Sequence, residues 1–424
     1  MRWIRNGGFL IALAAIAWAA SLAIDPEPLD TFADFDPATA KSSSTSAESY
    51  TPTELAAIGP NDVVIGFDGD LSVSAQSGGE SILAAMKLVA AQVNARGGLL
   101  GRKVHIVARD HLGMASRGVA NLREFCGDTR TLAVFTSVHS PVALAQLEVA
   151  HEERMLLMVP WAAASPIVSN GYDPNFVFRL SVRDEFAGEF LIAKAVDTSP
   201  KVALYLENTG WGRSNEKSMR VALAKRGLQP TEVCWFNWGD TEFDQLLEQT
   251  LTGAAETIVL VANPPEGGAF IEALARAPRK VRVFSHWGIT AGDFGVRYRE
   301  ALQDVDLCVL QTAHGDPEER QSLYDEYAAH HGRSISHDVE VAPVGFSNAY
   351  DLMQLLVNAV EQAQTFDRGR VRDALETLPP HDGLVRRYTR PFRPDWHEAL
   401  GIEDFVFCSF EADGTLAPNG SHDE

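Results

Sequence analysis

The chain has 424 residues, with 36 Lys and Arg against 57 Asp and Glu, which gives a formal net charge of −21 at pH 7 with His neutral. Hydrophobic residues make up 46% and charged residues 22%, which excludes a wholly disordered or fibrous chain. At roughly 100–200 residues per domain, the length predicts two domains with additional segments. The acidic excess argues against a nucleic-acid partner, because phosphate binding needs clustered Lys and Arg. It favours the solvated acidic surface of an exported protein.

The first 24 residues have the pattern of a secretory signal peptide. Arg2 and Arg5 precede the uncharged apolar run 9–24, which has small residues near its end. This run is shorter than the roughly 20 residues of a membrane-spanning helix, so an uncleaved anchor is the second possibility. We therefore expect export to the periplasm or another extracytoplasmic site.

The next segment, residues 25–60, is rich in Pro, Ser, Thr, Asp and Ala and shows neither helical nor strand periodicity. This composition predicts a disordered linker. A short disordered tail is expected at residues 419–424.

From residue 62 onwards, short apolar runs alternate with amphipathic helices, as in parallel sheets with helical crossovers. The fold class predicted is α/β, with two doubly wound parallel-sheet lobes. Nine strands in two groups are expected at Val63–Phe67, Val104–Ala108, Leu132–Phe135, Met155–Val159, Val202–Leu206, Thr231–Phe236, Thr257–Val261, Val281–Ser285 and Asp306–Leu310. Three largely helical stretches then follow, at Glu318–His330, Val341–Ala363 and Arg368–Thr377.

Motifs for nucleotide binding, nucleophilic hydrolysis and zinc binding are absent from the sequence. Cys126, Cys234, Cys308 and Cys408 form no Cys-x-x-Cys pair, and their disulfide pairing is left open. The sequence therefore predicts no catalytic residues, no metal site and no cofactor.

Loops that follow predicted strands carry hydroxyls, small residues and aromatic side chains. In open α/β sheets, ligands bind at the carboxyl ends of the strands, beside helix N-termini. The loops in question contain Ser72, residues 136–140, residues 160–166, residues 208–212, Asn263 and residues 286–288. Tryptophans in three of these loops suggest a lined cleft.

Several collinear motifs resemble the class I periplasmic solute-binding proteins of branched-chain amino acid (Leu/Ile/Val-binding) type ABC importers, over about residues 62–415. The most specific is Val93-Asn94-Ala95-Arg96-Gly97-Gly98-Leu99-Leu100-Gly101-Arg102-Lys103, with Asp110 after the next strand. The others are Gly78-Gly79, residues 140–145, residues 160–166, and Phe178-Arg179 followed by Asp184 and Gly188.

The resemblance implies a periplasmic binding protein-like I fold, in which two lobes joined by a three-crossing hinge close on a small-molecule solute. It also implies a membrane permease as partner, and we expect a monomer. The implied segments are residues 61–182 as the first part of lobe 1, 183–312 as lobe 2, 313–385 as the return to lobe 1 and 386–418 as the end of lobe 2.

The resemblance also implies site residues. Ser140 matches the hydroxyl that binds the ligand carboxylate, and the loop with Trp161, Ala162 and Ala163 matches a segment that contacts the amino acid head group. Trp211 matches an aromatic residue covering the ligand from the second lobe. Asn263 stands where a tyrosine is common, and Ser72 follows the first strand.

Trp287 is the largest departure from the family pattern. Amino acid binders of the family have an acidic residue at about this position, which pairs with the ligand ammonium. A buried ammonium without a counter-charge is costly, so Trp287 argues against an α-amino acid ligand unless Asp184 supplies the charge.

The leading hypothesis is an extracytoplasmic solute-binding protein of an ABC importer that binds an amino acid, amide or carboxylate by lobe closure. The alternative is a ligand-sensing periplasmic receptor of the same fold, suggested by the predicted linker at residues 25–60.

Overall fold

The computed structural model describes residues 55–312, 316–335 and 342–419. The predicted signal peptide, most of the predicted linker and residues 420–424 lie outside the described residues. Leu55–Ala57 forms a 3-10 turn, Ile58 is buried, and Arg130 donates hydrogen bonds to the carbonyls of Leu55 (2.8 Å) and Ile58 (2.5 Å). Residues 55–58, which the sequence placed in the linker, are therefore part of the folded body.

The first sheet has five parallel strands in the order β2-β1-β3-β4-β5. They are β1 (Val63–Gly69), β2 (Val104–Asp110), β3 (Thr131–Thr136), β4 (Leu156–Val159) and β5 (Val177–Arg179). Every residue of β1 and β3 is buried, which explains why these strands are continuous apolar runs instead of alternating ones.

The second sheet has seven strands in the order β14-β13-β10-β9-β8-β6-β7. Five are parallel, namely β6 (Val202–Glu207), β7 (Glu232–Phe236), β8 (Thr257–Val261), β9 (Arg282–Ser285) and β10 (Leu307–Thr312). Two antiparallel strands complete the edge, β13 (Phe405–Phe410) and β14 (Leu416–Pro418), and a separate hairpin consists of β11 (His381–Asp382) and β12 (Arg387–Tyr388).

Helices cover both sheets. We call the first sheet with its helices lobe 1; these are α1 (Gln76–Ala95), α2 (Ala115–Gly127), α3 (Ser140–Glu152), α10 (Pro317–His331), α11 (Pro343–Ala363) and α12 (Arg368–Leu375). Lobe 2 is the second sheet with α4 (Asp184–Thr198), α5 (Gly210–Ala224), α6 (Asp244–Thr252), α7 (Pro264–Arg276), α8 (Phe294–Arg297) and α9 (Arg299–Leu302). In the part of the chain that the structure describes, no helix has the length and apolar character to span a bilayer.

Two links between the lobes run side by side. Arg179 at the end of β5 accepts from the Ala399 N–H and donates its own N–H to the His397 carbonyl, both at 2.9 Å. The segment leading from β5 into α4 is thereby paired with the segment leading from β12 to β13.

The fold class predicted from the sequence is confirmed, and all nine expected strands are present within one or two residues of their predicted ends. Strands β5, β11, β12, β13 and β14 and helices α4, α8 and α9 were not predicted. Both β5 and β14 have only three residues, too few for a periodic pattern. Helix α4 escaped detection because its apolar residues are spread around much of its surface.

The asparagine of the most specific motif has a structural role. The Asn94 side chain accepts from the Val104 N–H and donates to the Val104 carbonyl, both at 2.8 Å. It thus joins the end of α1 to the start of β2 across the glycine turn, which explains the fixed spacing of the motif.

Candidate functional site

A pocket lies between the lobes, at the carboxyl ends of both parallel sheets. Lobe 1 contributes the loops after β3 and β4, and lobe 2 contributes the ends of β6, β8 and β9. The lining residues are Val138, His139, Ser140, Pro141, Trp161, Ala163, Glu207, Trp211, Asn263, Trp287 and Gly288. This is the position at which open α/β sheets bind ligands.

On the lobe 1 side, the N-terminus of α3 points into the pocket. His139 is the N-cap residue and Ser140 the first residue of the helix. Ser140 Oγ accepts hydrogen bonds from the backbone N–H groups of Ala163 (3.1 Å) and Ala164 (3.2 Å). Because both bonds use oxygen lone pairs, the Ser140 hydroxyl proton can be donated to an acceptor atom of a solute. This half of the pocket is suited to an anionic group, which the helix dipole also favours.

A buried arginine holds the loop that follows β4. Arg179 donates from Nη1 to the carbonyls of Ala162 (3.2 Å) and Ala164 (2.9 Å). The same guanidinium binds both carboxylate oxygens of Glu398, at 2.7 and 2.6 Å. The link between the lobes and the loop lining the pocket are therefore fixed by one side chain.

Three tryptophans fill most of the cleft. The rings of Trp161 from lobe 1 and Trp287 from lobe 2 have centroids 5.4 Å apart and are tilted by 45°. The pocket that they help to line has a volume of about 10 Å³, which is about enough for one water molecule. Trp211 packs over Gly288, where a Cβ atom would collide with its ring.

On the lobe 2 side, the pocket contains a buried carboxylate. Glu207, the last residue of β6, accepts hydrogen bonds from Thr209 Oγ1 (2.6 Å), Trp238 Nε1 (3.1 Å) and Asn263 Nδ2 (2.9 Å). Burial raises the pKa of Glu207 to about 7, although the hydrogen bonds from Thr209 and Trp238 act in the opposite direction.

A second polar cluster closes the pocket from lobe 1. His139 Nε2 lies 3.0 Å from Asp70 Oδ2, and its ring contacts the Trp238 ring of lobe 2 at a centroid distance of 5.3 Å. Burial alone would raise the pKa of Asp70, but the hydrogen bond and charge of His139 and two backbone N–H groups outweigh it and hold the pKa at about 2. Burial, together with the neighbouring His139, lowers the pKa of His111 to about 3. The carboxylate of Asp70 is thereby held in its charged form beside His139.

Six of the nine residues predicted from the sequence to bind ligand line this pocket: Ser140, Trp161, Ala163, Trp211, Asn263 and Trp287. Ala162 is buried beside them and directs its carbonyl to Arg179. Ser72 does not line the pocket; its side chain is exposed and donates to Asp110 Oδ2 at 2.5 Å. Ser72 lies inside a turn in which Asp70 accepts hydrogen bonds from the backbone N–H groups of Val73 and Ala75, and this turn directs the Ser72 side chain away from the pocket.

Asp184 does not face the pocket either. It is buried behind Trp211, whose Nε1 donates to Asp184 Oδ1 at 3.1 Å, and His286 Nε2 lies 3.2 Å from the same oxygen. One carboxylate oxygen of Asp184 is therefore engaged by Trp211 and His286, at the side of Trp211.

Glu207 and His139 are the pocket residues with ionisable side chains that sequence reasoning missed. The available signal was a charged residue at the carboxyl end of an otherwise apolar strand, Val202-Ala203-Leu204-Tyr205-Leu206-Glu207. Gly78 lies where the two lobes approach each other closely. A Cβ atom at this position would lie 2.9 Å from Val138 Cγ2 and 3.3 Å from the Ala291 carbonyl oxygen of lobe 2, so the close approach requires glycine.

Within the described ranges, no group of three or more His, Cys, Asp or Glu is arranged to hold a metal ion. The four cysteines, all of them described, are free thiols. The pocket offers hydrogen-bond donors, aromatic faces and a carboxylate, which are groups that bind an organic solute.

Comparisons with known proteins agree with this geometry. A Leu/Ile/Val-binding protein homolog 2 from Brucella abortus is 23% identical over 327 residues, which is 75% of this chain and 83% of that protein. The crystal structure of a periplasmic binding protein type 1 from Bordetella pertussis Tohama I has a TM-score of 0.74 at 19% identity and covers 84% of this chain and 99% of that one. An R. palustris ABC transporter solute-binding protein in complex with 4-hydroxybenzoate has a TM-score of 0.68 at 16% identity, covering 84% of this chain and 95% of that one.

Residues 62–405 match the model of the periplasmic binding protein family. This match spans the first sheet, the five parallel strands of the second sheet, both described links between the lobes and every residue that lines the pocket. The family resemblance predicted from the sequence is therefore confirmed, and the chain belongs to the periplasmic binding protein family.

Proposed function

We propose that this protein is an exported solute-binding protein that captures a small organic solute with a carboxylate group and delivers it to the membrane permease of an ABC importer. The observation that carries the proposal is the position of Ser140, whose hydroxyl proton is available to a solute at the N-terminus of α3 in the pocket between the lobes. The names of the relatives support the same class, since they bind Leu/Ile/Val or an aromatic carboxylate.

Binding requires that the lobes separate. The pocket between them has a volume of about 10 Å³, so a solute larger than water fits only when the lobes open. Hinge motion about the links between the lobes is the known route to such opening. The solute then supplies contacts to both lobes and stabilises closure.

The proposal is tested by a thermal-shift screen over amino acids, amides and short or aromatic carboxylates. A solute at 100 times its dissociation constant adds about 2.7 kcal/mol to the free energy of unfolding. The strongest carboxylate is then measured by calorimetry with Ser140→Ala, which we expect to weaken binding by about 1–3 kcal/mol through loss of a hydrogen bond to charge.

The matched control is Ser137→Ala, a buried serine of the same loop that does not line the pocket. Thermal unfolding of both variants is recorded, because Ser140→Ala also leaves two backbone N–H groups without their acceptor. Unchanged affinity in Ser140→Ala, or a screen in which no carboxylate binds, would contradict the proposal.

A further inference from the structure

Among the described residues, Asp68, Asp351, Glu266 and Glu207 are buried carboxylates without an ion pair, and of these Glu207 lines the pocket. Glu398 is bound by Arg179, Asp70 pairs with His139, and His286 approaches Asp184. The three hydrogen-bond partners of Glu207 are all neutral, and no ion pair of the described residues includes it. Burial without an adjacent cation disfavours the charged form of a carboxylate and raises the pKa of Glu207, and a cationic ligand beside it would restore that form.

The rest of the pocket suits a cation of a particular kind. Trp161, Trp211 and Trp287 line the same pocket as Glu207. The negative face of an indole ring attracts a cation within about 6 Å, and Trp is the best aromatic residue for this purpose. A primary ammonium needs three hydrogen-bond acceptors, whereas an alkylated ammonium is satisfied by aromatic faces and one carboxylate.

The two lobes also line the pocket with polar groups of opposite character. At the N-terminus of α3, Ser140 offers its hydroxyl proton from lobe 1, whereas Glu207 contributes a carboxyl group from lobe 2. The indole N–H of Trp161, a side chain only 1% exposed, has no hydrogen-bond partner among the described residues and adds a donor to the lobe 1 side. A solute with opposite charges at its two ends fits this arrangement.

We propose that Glu207 and the three tryptophans bind the positive end of a compact zwitterion with an alkylated ammonium group, while Ser140 binds its carboxylate. This inference rests on the proposed function and specifies its substrate class. It places the counter-charge of the ligand at the end of β6, instead of at position 287, where this chain has a tryptophan in place of the acidic residue of the family's amino acid binders. Trp287 becomes part of the cation site.

The groups that face Glu207 are consistent with this role. Glu266 on α7 adds negative charge and raises the pKa of Glu207 further, while His139 across the cleft lowers it. His139 is itself held by Asp70, at 3.0 Å. The lobe 2 side of the pocket therefore carries two acids whose pKa values burial raises, and a cationic solute beside Glu207 would favour its charged form.

The test compares two solutes of the same shape. Trimethylglycine and tert-butylacetic acid share a carboxylate and three methyl groups and differ only in a quaternary nitrogen in place of carbon. Dissociation constants are measured by tryptophan fluorescence and calorimetry for the full chain and for Glu207→Gln. The control variant is Glu256→Gln, a surface acid of the same lobe that pairs with Lys201 at 2.7 Å and does not line the pocket.

The unmodified protein and Glu256→Gln are expected to bind trimethylglycine at least about tenfold more tightly than tert-butylacetic acid, as a desolvated cation–π and ionic contact implies. In Glu207→Gln this preference should fall to about twofold or less, with affinity for tert-butylacetic acid unchanged. Equal binding of the two solutes, binding of neither, or a preference that survives in Glu207→Gln would overturn the inference. If other carboxylates still bind in the thermal-shift screen, the proposed function stands and only the zwitterion assignment fails.

Discussion

Glu398 at the link between the lobes and Glu207 in the cleft are both fully buried carboxylates, yet their surroundings differ in charge. Glu398 is bound through two oxygens by Arg179 and approached by Arg183 at 3.4 Å. Glu207 is surrounded by a hydroxyl, an indole N–H and an amide, and its pKa is raised by burial to about 7.

The difference distinguishes a structural charge from a ligand-binding charge. A paired carboxylate fixes two segments to each other, because breaking the pair leaves a buried ion without compensation. An unpaired carboxylate that faces a pocket costs folding free energy and is compensated only when a cation arrives. The hinge region therefore carries completed interactions, whereas the cleft carries incomplete ones.

The largest expected effect comes from breaking the completed interaction. Glu398→Gln leaves the buried Arg179 guanidinium without its counter-charge and should lower the free energy of unfolding by about 3–5 kcal/mol. Urea denaturation at pH 7 measures the change. Arg276→Ala, which breaks an ion pair with Asp244 in which both side chains are about 60% exposed, serves as control and should cost no more than about 1 kcal/mol. Equal effects of the two variants would contradict the distinction.

The opposite result is expected at Glu207. Its pKa in the folded protein, about 7, lies above the ordinary value of 4.5, so its contribution to stability is fully present below pH 4.5 and is lost as the pH rises through 7. Glu207→Gln removes this dependence. Its advantage over the unmodified protein in free energy of unfolding should therefore grow by roughly 2–3 kcal/mol between pH 5 and pH 8.

Denaturation series at several pH values measure this gain as a difference between the two proteins. Asp68 and Asp351, whose pKa values burial raises to about 8 and about 7, are present in both and cancel from the comparison. A Glu207→Gln protein that loses stability at pH 8 would show that this carboxylate is structural after all.

A smaller effect is expected at Asp184, which is partly paired. Trp211→Phe keeps an aromatic ring but removes the Nε1–H that donates to Asp184 Oδ1, while His286 stays 3.2 Å away. The free energy of unfolding should fall by about 1–2 kcal/mol, the contribution of one hydrogen bond to charge. Thermal unfolding measures the change, and Trp235→Phe, outside the pocket, is the matched control. A loss as large as that of Glu398→Gln would mean that Asp184 depends on Trp211 alone.

Much of the site could be predicted because it lies at strand ends, which an apolar run followed by polar residues reveals locally. Ser140, Trp161, Trp211, Asn263 and Trp287 were found in this way. Ser72 satisfied the same criterion, but the turn that Asp70 forms directs its side chain away from the pocket. No periodic pattern in the sequence encodes that turn, so the orientation of Ser72 could not be predicted. Position relative to a strand was therefore a sound guide to location but not to orientation.

The amino-acid sequence by itself determined the α/β class, the order of the nine strands and the loops that form the cleft, since hydrophobic periodicity and helix start signals act over a few neighbouring residues. Only the tertiary structure decided which charges are paired. Arg179 meets Glu398 across 219 positions and Asn263 meets Glu207 across 56, and no local pattern specifies such contacts. Asp184 is covered by Trp211 and Glu207 is left facing the pocket because the lobes bring distant strand ends together, and this arrangement gives the cleft its charge.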